Sequence, residues 1–404
     1  MNTTVFNKKY LKQITLFSFV CYFLLGFSWK LYGPLITKIV DEFGVNLTFM
    51  GLSLSLNSAG CIISVLLSGR IAYFFGKKNT IILGSIFYLA SFVIIFFSKF
   101  GIQLLIFNFI FGFGAGFIIS CVSPLISDLY GTNNTRKLSQ VDILFGIGSL
   151  LAPIAVGFVL KWNFSWRYLF LAVGVIYLIL SFFLLNIKNT NVKEQRSKDD
   201  TSYFKHLKKI MNLYFIIWFI SIFFHMGNMT IFLNWITTYF IKTGLSDSKA
   251  SFYTTLVFLA FLLGQVLKNF LLKNFNEMSI LLYSTIFSIL SLIIFILFWN
   301  NLSIVIIFSL FIGFGISGFW SLFCGFLYRN NEEYSTLISS IIFSVSYSGQ
   351  LVLQYFTGLL LERVGIKIFP IIIIFFCFIV LCLLYLLKYL SVKISYKKNQ
   401  VLPG

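Results

Sequence analysis

Apolar runs of about 20 residues or more, parted by short polar stretches, recur along nearly the whole chain. Twelve can be marked, near 14–39, 48–74, 80–98, 102–127, 141–161, 167–187, 212–241, 251–272, 279–299, 303–328, 336–361 and 368–390, and these are spans 1 to 12. Each is long enough to cross a hydrocarbon core about 30 Å thick as a helix rising about 1.5 Å per residue. The runs are continuous and do not alternate at every second position, which argues against a β-barrel. The pattern predicts an all-α integral membrane protein with twelve transmembrane helices. One polar stretch, "KNTNVKEQRSKDDTSYFKHLKKIM", is much longer than the others. It divides the chain into a six-span bundle at 1–187, a linker at 188–211 and a second six-span bundle at 212–404. The end of the linker reads either as a short amphipathic helix on an anionic leaflet or as a solvated tether.

Composition agrees with the pattern. The 404 residues are 59% hydrophobic and 11% charged, against about 25% charged in soluble domains. A net charge of +19 would suit a nucleic-acid partner, but its distribution argues otherwise. Most of the 31 Lys and Arg fall on one set of loops and tails, including Lys8, Lys9, Lys12, Arg70, Lys77, Lys78, Arg136, Lys137, the linker, Lys268, Lys273, Arg329 and the C-terminal lysines. The opposite loops hold Lys38, Lys99, Lys161, Arg167, Lys242, Lys249, Arg363 and Lys367. This asymmetry predicts a multi-pass protein of the cell (inner) membrane with both termini in the cytoplasm. The polar first 13 residues lead into an apolar run too long for a signal-peptide core, so span 1 is expected to stay as an anchor. The six cysteines all lie in apolar runs without metal-ligand spacing, so neither a disulfide framework, a metal nor a cofactor is implied.

The halves repeat faintly. An offset of 201 residues carries Gly112–Gly114 of "FGFGAGF" onto Gly313–Gly315, and also Gly26 onto Gly227, Gly157 onto Gly358 and Ser120 onto Ser321. An offset of 200 carries Gly44, in "GVNLT", onto Gly244, in "GLSDS". Six spans per half is an even number, so both halves enter from the same side and the repeat is parallel, about an axis along the membrane normal. Gly112 and Gly116, at i and i+4, leave one bare helix face for close approach, and Gly313 stands in the corresponding place in span 10.

Specific motifs then point to a family. After span 2 stands "GRIAYFFGKK", which resembles the loop of the major facilitator superfamily: Gly, three residues, Asp, two residues, Gly and two basic residues. Gly69, Gly76, Lys77 and Lys78 match, and Tyr73 takes the aspartate's place. The equivalent second-half loop, "GQVLKNFLLKN", keeps Gly264 and Lys273. "SWRYLF" before span 6 is similar to the Trp-Arg-x-x-Phe that starts that span in the family. Span 5, "FGIGSLLAPIAVG", resembles the fucose-permease-type sugar porters. It also half matches the efflux antiporters, through Gly148, Pro153 and Gly157. The resemblance implies a central cavity lined by spans 1, 4, 7 and 10 and alternating access with the loop Gly69–Lys78 as a cytoplasmic latch.

Polar groups deep in apolar helices are the candidate site, because each costs free energy there. Lys30 lies about 24 Å along span 1, where a lysine costs about 2.5–3.5 kcal/mol. It reads as an anion-binding charge in a wet cavity, or as a snorkelling side chain. In span 7, His225, Asn228, Phe232 and Trp235 share one helical face. In span 11, Tyr347, Gln350 and Gln354 form a stripe that either meets substrate or bonds a neighbouring helix. Asn57 and Trp320 complete the substrate-binding set. Coupling candidates are His225 and Asp142, the latter expected in the N-terminal turn of span 5, where the helix dipole favours a carboxylate. No acid stands deep in span 1 or span 4, so facilitated diffusion or solute exchange fits as well as proton symport.

No P-loop and no nucleophile elbow occurs, so neither ATP-driven pumping nor an enzyme is expected. The leading expectation is a monomeric secondary transporter of a small hydrophilic organic solute (sugar-like, amino acid or organic anion), with a proton as candidate companion and the lipid bilayer as its surroundings. The alternatives are a proton-coupled efflux antiporter for drugs or amphipathic metabolites, and a non-transporting membrane receptor or enzyme.

Overall fold

The computed structural model of the chain describes residues 8–130, 134–186, 213–320, 322–323 and 335–400. The linker 188–211, the far end of span 10 and Arg329 lie outside the described residues. Within them the chain is built of helices, as lipid requires: backbone groups that meet no water must be satisfied within each segment. Span 1 is Lys8–Phe43. Spans 2 and 3 share the helix Leu47–Phe96, bent at Gly76, whose φ of 80° and ψ of 152° break the helical run. Spans 4, 5 and 6 are Gly101–Tyr130, Asn134–Lys161 and Arg167–Asn186. Spans 7, 8 and 9 are Leu213–Lys242, Asp247–Leu271 and Glu277–Leu297. Span 10 opens with Leu302–Ile316, span 11 is Ser335–Val364 and span 12 is Phe369–Gln400.

Helix ends follow local chemistry. Gly44 (φ 61°) and Gly244 (φ 113°) lie in conformations that disfavour side chains, just past spans 1 and 7. Val45 N then donates to the Val40 carbonyl and Leu245 N to the Phe240 carbonyl. The glycine match at an offset of 200 is thus a repeated helix cap. Asn46, Asn276 and Asn301 cap the helices that follow them through their side-chain oxygens.

The described chain sorts into two compact units. The first comprises Met1–Gln195, Asn234–Thr255 and Gln354–Glu362, and the second Arg196–Leu233, Leu256–Leu353 and Arg363–Gly404. In the first unit a buried aromatic core joins spans 3, 4 and 6. Tyr88 stacks on Phe111 at 4.7 Å and meets Tyr177 edge-on at 4.8 Å, while Phe107 meets Phe170 at 5.5 Å. The Tyr88 hydroxyl pairs with Ser28 (2.8 Å), and Tyr177 donates to the Cys21 carbonyl (3.1 Å), which ties this core to span 1. In the second unit Trp218, Leu281, Phe319, Phe323 and Leu384 are the centre of a buried apolar cluster.

Glycines bring the backbones together. A side chain at Gly112 would strike the Asn57 carbonyl, and one at Gly116 the Ser64 hydroxyl, both in span 2. Gly114 faces the other way, 2.7 Å from the Gly84 carbonyl of span 3 for an added Cβ. Span 4 therefore threads between spans 2 and 3. Span 10 repeats the device: Gly313 faces the Val257 carbonyl of span 8 (3.0 Å), and Gly315 faces Ser288 of span 9. Gly26 and Gly148, where spans 1 and 5 cross, face the Phe145 and Phe23 carbonyls. The 201-residue offset carries that pair onto Gly227 and Gly349, where spans 7 and 11 cross.

Candidate functional site

In the first unit, Lys30 is half-buried on span 1 and Asn57 half-buried on span 2. Asn57 Nδ2 approaches the Asn108 carbonyl at 3.5 Å. Beneath them is a polar knot absent from the candidate set. The amide of Asn108, 2% exposed on span 4, donates to the Tyr32 hydroxyl (2.9 Å) and Ser53 Oγ (2.8 Å). The signal is present in the sequence, since Asn108 interrupts "LLIFNFIF" in mid-span; an amide there needs partners.

The same unit holds a close contact between spans 2 and 11, at the ends opposite the basic loops. An added Cβ at Gly51 (span 2) would lie 2.7 Å from the Gln354 carbonyl and 3.0 Å from Gly358 Cα, both of span 11. Glu362 Oε2 accepts from Leu47 N at 2.8 Å, placing a carboxylate at the N-terminus of span 2. Gly157 of span 5 lies against Ser248 and Ser251 of span 8. Trp235 Nε1 donates to Gln354 Oε1 (2.8 Å), and Thr237 pairs with Thr254 (2.7 Å). The one-sided polar face read in span 7 thus has its Trp235 turned to span 11.

A clamp fastens the same side of the first unit. Glu42, at the end of span 1, accepts from Trp166 Nε1 (2.6 Å) and pairs with Arg167. Arg167 also donates to the Ser98 carbonyl (2.9 Å) and lies over the Trp166 and Phe43 rings. The "SWR" motif joins spans 1, 3 and 6. The ion pair is partly exposed and worth at most about 1 kcal/mol, but the carbonyl bond and ring contacts add to it. Arg167→Ala is expected to cost about 1–2 kcal/mol, read as a lower apparent melting temperature of purified protein. Arg167→Lys should recover only part of this, because an ammonium lacks the two-pronged guanidinium geometry.

In the second unit, His225 (5% exposed) stacks on Phe319 with ring centres 3.7 Å apart. Asn228 donates to the Ile373 carbonyl and to Cys377 Sγ of span 12, both at 3.2 Å, and Phe232 stacks on Phe369 at 6.3 Å. Trp320 and Tyr347 flank Phe343, at 4.9 and 6.5 Å, in an aromatic row. Gln350 is half-buried one turn beyond Tyr347.

Asp142 is exposed and, because its helix begins at Asn134, stands two turns inside. The dipole effect fades within the first turn, so the expected N-terminal placement does not hold. In the stretch Gly69–Lys78, Gly69 is unobstructed, Tyr73 is exposed, and Gly76 makes the bend. Lys78 Nζ approaches the Leu185 carbonyl (3.4 Å) at the end of span 6, a favourable place for a cation. Lys77 follows the bend in the span 3 part of the helix.

Lys268 departs most from the sequence reading. Charge distribution groups it with the loop cations, yet it is 3% exposed inside span 8. It stands four residues after Gly264, as Tyr73 stands four after Gly69, and this equivalence is the signal that singles it out.

Residues 18–333 match the family described as the Major Facilitator Superfamily. The chain is similar to the Protein TsgA homolog of Buchnera aphidicola subsp. Baizongia pistaciae (strain Bp), 26% identical over 276 residues, 67% of this chain and 68% of that protein. It is similar also to Protein TsgA of Escherichia coli O7:K1 (strain IAI39), 22% identical over 273 residues, 67% and 68% of the two chains. Among solved structures, a point mutant of the nucleoside transporter NupG superposes with a TM-score of 0.78 at 14% identity, covering 94% of this chain and 99% of that one. A D-xylose-proton symporter superposes with a TM-score of 0.74 at 16% identity, covering 93% and 97%.

Proposed function

The chain belongs to the Major Facilitator Superfamily and is a secondary transporter, not an enzyme, and we propose that its cargo is a small hydrophilic organic solute moved across the cell membrane by alternating access. The observation that carries this reading is the close contact between spans 2 and 11 in the first unit, read as a seal. Gly51 and Gly358 bring two backbones together on one side of the membrane, with Glu362 on Leu47 beside them. A contact made by bare backbone and one carboxylate can open and close without repacking large side chains. The bundles 1–187 and 212–404, joined by the linker 188–211, are the bodies that rock, with Gly69–Lys78 as the latch and both termini in the cytoplasm. The transporter acts as a monomer.

Lys30 supports a polar cargo, and an anionic one best: a half-buried ammonium in an apolar span favours anionic or polar company. Asn57, Trp320, Tyr347 and Gln350 supply amide and aromatic contacts, while Asn228 and Trp235 hold the walls through hydrogen bonds to neighbouring spans and His225 through its stack on Phe319. Asp142 or His225 is the group for a coupled proton. The test is reconstitution into liposomes with sugars, amino acids, carboxylates and cationic dyes, with and without a pH gradient. For a carboxylate cargo, Lys30→Gln should lower uptake by about tenfold or more, as loss of a charge-assisted contact implies. Dye export that survives Lys30→Gln, with no uptake of any hydrophilic solute, would establish the efflux antiporter instead.

A further inference from the structure

Span 10 is interrupted near the middle of its apolar run. Its helix stops at Ile316, Ser317 turns extended (φ −70°, ψ 164°), Gly318 takes a φ of 68°, and helix resumes at Phe319 and Trp320. The sequence "GISG" supplies the Gly and Ser pairing at which helices kink. A break of this kind strands the last carbonyls of the first segment, which have no N–H one turn ahead. In lipid such groups must be answered by protein.

They are answered by Lys268, with the Ser317 hydroxyl donating to the Phe314 carbonyl at 2.7 Å. Lys268 Nζ donates to the carbonyls of Gly315 (2.6 Å), Ser317 (2.7 Å) and Phe314 (3.2 Å), with Ser317 Oγ at 3.4 Å. His225 of span 7 stacks on Phe319, the first residue after the break, with ring centres 3.7 Å apart. Lys268 Nζ also lies over the Phe319 ring, 5.4 Å from its centre. One turn earlier, Gly264 lets span 8 press on the break, since a side chain there would strike the Phe314 carbonyl and Ser317 Oγ. Among the described residues Lys268 makes no ion pair. Its charge is balanced by carbonyl dipoles at a helix C-terminus, where cations are favoured.

Unwound carbonyls and half-helix C-termini are the groups with which broken-helix transporters hold a sodium ion. We propose that Lys268 is a tethered cation occupying such a carbonyl cage, so that the break in span 10 needs no inorganic ion to hold its shape. Lys268 is in this sense a positioning residue, acting through span 10. The inference rests on the transporter reading for its role in coupling, but its test does not require transport.

Thermal unfolding of the purified protein provides the test. Lys268→Ala should lower the apparent melting temperature by about 5–10 °C, and methylammonium or sodium chloride should restore at least half of it in a saturable manner. Choline chloride, too large and without an N–H donor, should not. Wild-type protein should show no saturable stabilisation by sodium, potassium or methylammonium, because the cage is full; this measurement needs no variant. A Lys268→Met protein as stable and as active as wild type would overturn the proposal. So would failure of every small cation to restore Lys268→Ala, or saturable sodium stabilisation of wild type. A transport failure with cation rescue intact would instead count against the transporter reading alone.

Discussion

Leucine at Gly358 is expected to reduce solute uptake about tenfold or more while leaving a folded protein in the membrane, because it blocks one of two alternating states. An added Cβ at this position already lies 2.5 Å from the Leu47 carbonyl and 2.8 Å from Gly51 Cα. These are backbone atoms, which cannot swing away as a long side chain can. The contact joins spans 2 and 11, of which span 2 also packs on span 4 at Gly112 and span 11 on span 7 at Gly349. Wedging it open therefore removes this contact, with its Glu362 bond to Leu47, and spares the helix crossings at Gly112 and Gly349. Gly51→Leu should act in the same way. The measurement is uptake by reconstituted protein alongside its melting temperature. Unchanged uptake with Gly358→Leu would mean that the seal does not take part in the transport cycle.

A leucine at Gly148 should have the opposite profile, with loss of the folded protein itself. Spans 1 and 5 cross with Gly148 against the Phe23 carbonyl and the Phe27 N–H, and Gly26 against Phe145. Ser149 adds a hydroxyl bond to the Gly26 carbonyl at 3.3 Å. Overpacking a well-filled core costs about 1–3 kcal/mol, and here the obstacle is backbone on both sides, so the upper end or beyond applies. Monodisperse protein should fall several-fold in yield, or melt about 10 °C lower. Gly69→Leu is the matched control for stability, because nothing lies within 4 Å of a Cβ there. Equal melting temperatures for the two variants would refute the account of the crossing. Gly349→Leu, its counterpart against the Phe223 carbonyl, tests whether the repeat carries the same energy in both halves.

The two predictions separate glycines that look alike in sequence. Gly148, Gly157 and Gly358 are all single glycines in apolar runs, and their spacing says only that a helix face is bare. Gly26 and Gly227 are paired by their offset, but the partners they press against become visible only with the helices packed. Asn108 shows a different kind of omission: an amide in mid-span is conspicuous in the sequence, yet Tyr32 and Ser53, which satisfy it, lie on other helices. For His225, Asn228 and Trp235 the shared face is legible from a 3.6-residue period. Their separate partners on spans 10, 12 and 11 are not.

Hydropathy, length and charge are properties of each segment alone. From them follows a chain of membrane-crossing helices, because a bilayer admits so few ways to bury a backbone; the motifs that resemble the family are read from residue identities, not from hydropathy. What only the tertiary structure decided are events between segments far apart in sequence: the Gly51–Gly358 contact, the Glu42–Arg167 clamp, and above all the break in span 10. A helix interrupted in lipid is tolerated only if its stranded carbonyls find donors, and those donors are the Lys268 ammonium of span 8 and the hydroxyl of Ser317. By composition Lys268 is a loop charge; by contact it is the buried cation that lets span 10 stop and start again.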